Sequence, residues 1–381
     1  MEKILPSIPD ESVYYHGQRN HFSSWLMARS EVMLASKLKP VKVSDFPRAG
    51  ELKKYLADCI YERRKGRQKG LITELVTGAY DPDADFVKVG KGSLGGKARG
   101  QAFSSTQLKE NPDLQQKYAN VNIQVPNSMV LSTDGFDAFI NENNLKELST
   151  ADLSDAEITR LFLEARFPDS LIGDLELFIQ HARYPLAVRS SSLLEDAQFQ
   201  PFAGIYKTYM LPNNHRKRSV RLERLIMAVK LVYASTYFAT PKAYARSTYH
   251  RMEDEKMAVA IQRLTGSACG EYFYPALSGV AQSYNFYPIA HLKPDEGIAR
   301  IALGLGKTVV EGGTSLRFTP RYPQFLPQFS AVDDILKNSQ RRFYALKMKD
   351  FPRDFGANED ATLARLDVDE ASDHPPVKQA Y

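Results

Sequence analysis

The spacing of apolar positions changes several times along the chain, and each change predicts a new element. In residues 22–37, FSSWLMARSEVMLASK, the residues Trp25, Leu26, Met33 and Leu34 recur at helical spacing, with Ser24 placed to cap the helix. A second helix is expected over residues 49–70, so residues 1–80 read as a helical extension whose aromatic and Met stripe belongs to a core. Asp81-Pro82-Asp83 signals a turn, and the alternation FVKV over 86–89 a strand. A helix over 98–118, a strand over 122–131 and a helix over 133–143, capped by Thr133, continue the alternation. Residues 152–181 form a long acidic helical stretch, and PLAVR, 185–189, reads as a buried strand that stops at a charge. Further on, a helix is expected over 219–249 and strands over 257–264, 278–283 and 298–303.

These elements predict an α+β protein: a helical extension over 1–80, a first lobe over 81–215, a second over 216–325, and an incomplete segment over 326–381. The last stretch, DVDEASDHPPVKQAY, offers little to pack, and no internal repeat is present.

A chain of 381 residues with 43% hydrophobic and 25% charged residues has the composition of a soluble globular protein of more than one lobe. Its formal charge of +5 permits an anionic partner without demanding one. Basic residues cluster at Arg63, Arg64, Lys65, Arg67 and Lys69, and again from His215 to Arg224. No stacking aromatics are interleaved with either run, so both read as solvated faces and a nucleic-acid partner is not expected. Cys59 and Cys269 are far apart and outside any CxxC spacing, which suggests neither zinc nor a disulfide framework. With no apolar leader and no run long enough to span a bilayer, the expected location is the cytoplasm, with no membrane partner.

Two stretches carry candidate chemistry. GKGSLGGKARG, residues 90–100, lies between a predicted strand and a predicted helix, where glycines let backbone N–H groups approach phosphate oxygens and Lys97 supplies a charge. Gly90, Gly92 and Gly95 match G-x-G-x-x-G, yet Asp113 falls in a polar helical stretch rather than at a second strand end, which argues against a dinucleotide fold. It is no Walker A loop, because Lys91 replaces the first Gly and Ala98 the metal-binding hydroxyl. Taken alone, the loop fits a structural turn as well as a phosphate cradle. The second stretch is AVRSSSLLED, 187–196, followed by FAGIYKT, 202–208. Arg189 at the end of a buried strand needs an anion, either Glu195 or Asp196 or a ligand phosphate, and residues 190–192 are turn hydroxyls or ligand donors.

GGKARG, PLAVRSSSLLEDAQFQPFAGIYKTY, AVKLVYASTYF, MAVAIQRL, SGVAQSY and GLGKTVVEGG occur in one order, and together they resemble the N-terminal nucleotide-binding domain of phosphoenolpyruvate synthase and pyruvate phosphate dikinase. The resemblance covers roughly residues 86–320 and implies an ATP-grasp-like fold of two lobes. It also implies ATP and Mg²⁺ as cofactors, with a phosphoryl group passed to a histidine on a separate domain and onward to a pyruvate-binding domain. On this resemblance Lys97 and Arg189 take the catalytic, phosphate-binding roles, with Gly95, Gly96 and Ser190 beside them. Gly204 and Thr208 fall in the loop that covers the phosphates, and Gln262 on the strand leading to the adenine edge.

The chain departs from the family at Lys207, Arg300 and Lys307, where acidic residues are usual. Cations there either strengthen anion binding or remove a metal ligand. No D-I-E-F-like or L-Q-T-R-like strand follows Pro320, no histidine sits in a phosphohistidine motif, and the metal ligands are not identified. The sequence therefore supports the ATP-binding portion of a phosphotransferase, with a catalytically silent nucleotide-binding or regulatory module of the same fold as the alternative. An RNA-binding protein using the basic clusters is a remote third reading.

Overall fold

The structure, a computed structural model, describes residues 4–29, 31–68, 72–75, 80–82, 84–192, 204–247, 252, 255–349, 351–352, 355–356 and 358–380. The chain divides into two compact units, one of Met1–Thr73, Asp83–Asp85 and Ser104–Ile123, the other of Glu74–Pro82, Phe86–Phe103 and Gln124–Tyr381.

The first unit is helical. Helices α1 (Asp10–Gln18), α2 (His21–Ala28), α3 (Val32–Leu38) and α4 (Ala49–Gln68) bury Leu5, Val13, Leu26, Leu34, Leu38, Leu52 and Leu56 in one cluster. The helix expected over 22–37 is two helices, and the break after Ala28 shifts the phase of the apolar stripe. Leu26 and Leu34 are core as expected, whereas Trp25 and Met33 are exposed, and the Arg29 guanidinium lies over the Trp25 ring at 4.2 Å. Ser24 is not the cap: Asn20 holds that position with a φ of 56°, and the Ser24 hydroxyl donates back to its carbonyl at 3.2 Å. Both Cys59 and Cys269 are buried free thiols.

The second unit is built on a mixed sheet. Strands β2 (Phe86–Val89), β3 (Ser128–Leu131), β4 (Leu186–Ser192), β5 (Thr208–Leu211) and β6 (Met257–Arg263), with β1 (Ile72–Glu74) at the unit boundary, are interleaved with helices α5 (Gly95–Glu110, whose second half falls in the first unit, as does α6, Pro112–Lys117), α7 (Thr133–Glu142), α8 (Asp155–Glu164), α9 (Asp169–His181), α10 (Arg218–Ala234) and α11 (Ala239–Arg246). The sheet runs β2-β3-β6-β4-β5, and the Leu75 N–H just past β1 donates to the Lys88 carbonyl at 2.8 Å. β2 and β3 are parallel, as a connection through a helix requires, and the remaining pairs are antiparallel. The strand expected over 122–131 is confined to Ser128–Leu131, because Pro126 has no N–H for a ladder. The acidic stretch over 152–181 splits at Phe167-Pro168 into α8 and α9.

The two faces of the sheet are covered differently. Small Ala258 and Ala260 on one face let α5 approach through Ala98 and Ala102, with Phe86, Leu94 and Val130 completing a buried cluster. The other side buries Leu186, Val188, Tyr209 and Leu211 with Leu225, Val229 and Val232 of α10. Next to them, Tyr233 stacks edge-on to Phe136 of α7 at 5.1 Å.

Beyond β6 come β7 (Ser267–Cys269), β8 (Tyr272–Tyr274), β9 (Leu277–Gln282), β10 (Ile298–Leu303), α12 (Lys307–Val310), β11 (Leu316–Phe318), α13 (Val332–Asn338), β12 (Arg342–Lys347), β13 (Leu363–Asp367) and α14 (Pro375–Ala380). They form a three-stranded sheet, β11-β10-β9, and a four-stranded one, β13-β12-β8-β7. The terminal stretch does find a core, contrary to the sequence expectation: Val368, Ala371 and Val377 are buried with Phe343, Leu346 and Tyr274. Its apolar residues are sparse, yet the long-range strand pair β12–β13 brings a surface for them to cover. Among the described residues no helix is long and apolar enough to cross a membrane.

Candidate functional site

The turn after β2 is held from two sides. Its first half is fixed by the start of α7: the Asp134 carboxylate accepts the Lys91 N–H at 2.8 Å, and Thr133 Oγ1 accepts the Ser93 N–H at 3.0 Å. The Thr133 N–H in turn donates to the Ser93 carbonyl at 2.9 Å, so Thr133 grips the loop instead of capping its own helix, which starts from Ser132. The glycines permit this approach. A Cβ on Gly90 would lie 2.5 Å from both Asp134 Oδ1 and Ser132 Oγ, and one on Gly92 would lie 2.6 Å from the Asp134 nitrogen. Of the two expectations for this loop, a structural turn and a phosphate cradle, its first half fits the turn: its early N–H groups are aimed at the protein's own carboxylate and hydroxyl.

The second half of the turn packs on β4. Gly95 has a φ of 71°, its N–H donates to Ser93 Oγ at 3.2 Å, and α5 starts there. The Ser191 hydroxyl donates to the Leu94 carbonyl at 2.7 Å and accepts the Ala98 N–H at 3.0 Å, while Lys97 Nζ donates to Ser190 Oγ at 3.2 Å. Ser190, Ser191 and Ser192 are fully buried and continue β4 past Arg189, so they are strand residues and not a turn. Ser191 is the fastener, and nothing in the run of three serines distinguishes it from its two neighbours.

On β4, Arg189 Nη1 donates to Gln262 Oε1 at 3.3 Å, and Arg189 lies opposite Ala260 on β6 and Thr208 on β5. Gln262, 8% exposed, thus orients the guanidinium. Lys97 is tied to Ser190, the residue that follows Arg189 on β4. Gly95, Gly96 and Lys97 form the first turn of α5, whose N–H groups and partial positive charge add to the two cations. Gly204 has a φ of 77° with open space about its Cα, and Thr208 starts β5. Glu195 and Asp196, the suggested internal partners of Arg189, lie outside the described residues.

Burial on its own pushes the Asp134 carboxyl upward, but hydrogen bonds from the Ser132 hydroxyl and from the Lys91 and Gly92 N–H groups outweigh it and hold it below the usual carboxylate range. A carboxyl whose folded pKa is depressed contributes stability above its unfolded pKa, and that contribution disappears as pH falls through the folded value. Asp134→Asn is therefore expected to flatten the acid limb of a plot of stability against pH below about 4. Urea unfolding at pH 3 and pH 7 checks this, and an unchanged pH dependence would show that the loop tie is unimportant.

The three departures from the expected acidic pattern fall in two places. Arg300 is exposed on β10, opposite Val280 and Arg317. Lys207 and Lys307 both meet Glu359, at 3.6 and 3.3 Å, and Lys307 also lies 2.5 Å from Glu311 and 2.8 Å from Asp360. Burial lowers the Lys307 pKa, but Asp360, Glu311 and Glu359 more than reverse this and raise it above the ordinary lysine value. These carboxylates hold an ammonium, β12 carries none (RFYALK), and among the described residues no three His, Cys, Asp or Glu are grouped to hold a metal ion. Among the described residues, then, no set of protein ligands for Mg²⁺ is assembled, whereas cations, buried hydroxyls and a helix N-terminus fit a polyphosphate.

Residues 92–364 match the model of the pyruvate phosphate dikinase AMP/ATP-binding domain, and the chain belongs to that family. Over 218 residues it is 28% identical to the phosphoenolpyruvate synthase of Deinococcus radiodurans, a match covering 52% of this chain and 26% of that protein. Over 197 residues it is 26% identical to the uncharacterized phosphotransferase YvkC of Bacillus subtilis, covering 51% and 21% respectively. The matches thus span a quarter of the synthase or less of the phosphotransferase.

Proposed function

We propose that the chain is the ATP-binding portion of a phosphoenolpyruvate synthase-like or pyruvate phosphate dikinase-like phosphotransferase, with an ATP-grasp-like arrangement about the sheet. The observation that carries this reading is the bond from Lys97 to Ser190, the residue after Arg189 on β4, at the N-terminal turn of α5. Lys97 and Arg189 neutralise the triphosphate, Gly95 lets the loop turn into α5, and Gly96 in the first turn of α5 adds an N–H donor. Ser190 and Gln262 keep the two cations in place. Gly204 and Thr208 belong to the segment that covers the phosphates. Phosphoryl transfer is chiefly a matter of positioning and charge neutralisation, so these residues would present the terminal phosphate to a histidine on another domain. Mg²⁺ would arrive on the nucleotide, and the cytoplasm is the compartment we assign.

A catalytically silent nucleotide-binding module is the second reading, favoured by the ammonium of Lys307 among Glu311, Glu359 and Asp360. Calorimetry with Mg²⁺-ATP is expected to give saturable heat, and its absence would overturn both readings. Transfer of ³²P from γ-labelled ATP to a family phosphohistidine domain supplied in trans separates them: labelling supports the enzyme, and binding without labelling the silent module.

A further inference from the structure

We infer that Glu359 is a positioning residue for the nucleotide site, holding the strand opposite Arg189 in place from a segment 151 residues away. This rests on the ATP reading above and goes further, by assigning a role to a carboxylate that no sequence motif marked.

β5 is the last strand of its sheet, so one row of its backbone groups faces away from β4. The Thr208 N–H points outward and donates to Glu359 Oε2 at 2.9 Å. The other oxygen, Oε1, meets Lys307 Nζ at 3.3 Å and Lys207 Nζ at 3.6 Å. One carboxylate thus receives a strand-edge N–H and two ammonium groups, and charge-assisted bonds of this kind are shorter and stronger than neutral ones. Lys307 is only 11% exposed and Glu359 19%, which protects the cluster from solvent screening. One residue further along β5, the Tyr209 hydroxyl donates to the Gly356 carbonyl at 3.2 Å, a second tie to the same segment.

The link to the site is through register. Thr208 lies directly opposite Arg189, so their side chains share a face of the sheet. Fixing Thr208 fixes the residue that faces Arg189 across the strand pair, on the side away from Gln262 and β6. Lys207 and Lys307 thereby acquire a structural explanation: with cations at both positions, a carboxylate supplied from residue 359 completes the contact. Asp360 and Glu311 hold Lys307 from its remaining sides, so the ammonium is directed to the cluster and away from a ligand.

The test uses the full chain and two readouts: ATP affinity by calorimetry and amide exchange over residues 208–211. Glu359→Ala is expected to raise the Kd for ATP roughly tenfold, the effect of losing one charge-assisted hydrogen bond, and to speed exchange at Thr208 by a similar factor. Glu359→Gln keeps an acceptor for the Thr208 N–H and should restore exchange protection and most of the affinity. Wild-type affinity and exchange in Glu359→Ala would overturn the proposal. So would a lowered melting temperature with unchanged ATP affinity at a temperature where the variant is fully folded, since that is the signature of a purely structural carboxylate. Should Glu359→Ala fail to fold, Lys207→Met and Lys307→Met supply the same test, and unchanged affinity and exchange in both overturns the inference. If wild-type protein binds no ATP, the nucleotide reading fails, while exchange at Thr208 still decides whether the clasp exists.

Discussion

Lys97→Ala and Arg189→Ala are each expected to weaken ATP binding by roughly 10- to 100-fold, the 1.5–3 kcal/mol typical of a hydrogen bond to a charged group. The two losses should differ in kind. Lys97 is an ammonium that donates to Ser190, so its removal takes away a point charge and the donor to that hydroxyl. Arg189 lies on a central part of the sheet, and its removal also strips the donor from Gln262 Oε1, which is largely buried. Arg189→Lys should recover only part of the affinity, because an ammonium lacks the planar fork that contacts Gln262 and an anion together. Calorimetry at two salt concentrations checks both variants. If either binds ATP as tightly as wild type, Lys97 and Arg189 do not share a phosphate site.

Much of the sheet was legible because its strands are short apolar runs bounded by punctuation. β6 and β10 fall where alternation and β-branched residues placed them, within a residue at each end. Longer predicted segments were less faithful, because a period of 3.6 survives a kink: α2 and α3, and likewise α8 and α9, read as continuous helices until a local break changed their direction. The two cations were legible from the buried strand that carries Arg189 and the glycines that precede Lys97. What could not be read was the network that holds them. Ser191 is one of three adjacent serines, and only the approach of α5 selects it. Asp134 follows Ser132 and Thr133 in a run that resembles an ordinary helix cap, so its role in gripping a loop 43 residues earlier was hidden. Glu359 is further still from Thr208, and a contact between a backbone N–H and a distant carboxylate leaves no periodic signal. Lys207 and Lys307 appeared as departures from a pattern, and their shared partner became visible only in three dimensions.

Gly95→Ala should be the most damaging single substitution at the site. An added Cβ would lie 1.6 Å from the Ser191 carbonyl oxygen and 2.3 Å from its carbon, and both atoms belong to the backbone of a fully buried strand residue. No rotamer change relieves such a contact, so either β4 or the start of α5 must move. The φ of 71° adds the left-handed penalty of about 1–2 kcal/mol that glycine alone escapes. Together with overpacking of about 1–3 kcal/mol, the loss should reach roughly 2–5 kcal/mol, a large share of a typical domain's stability. Displacing α5 would also pull Lys97 from Ser190 and Ala98 from Ser191, so ATP affinity should fall in whatever fraction remains folded. Gly173→Ala is the matched control: it lies inside α9 with nothing within 4 Å of an added Cβ, and should stabilise the protein by about 0.5–1 kcal/mol. Urea unfolding of the two variants checks the pair. A Gly95→Ala protein as stable as wild type would mean that the loop and β4 are not in the close contact that places Lys97 against Ser190.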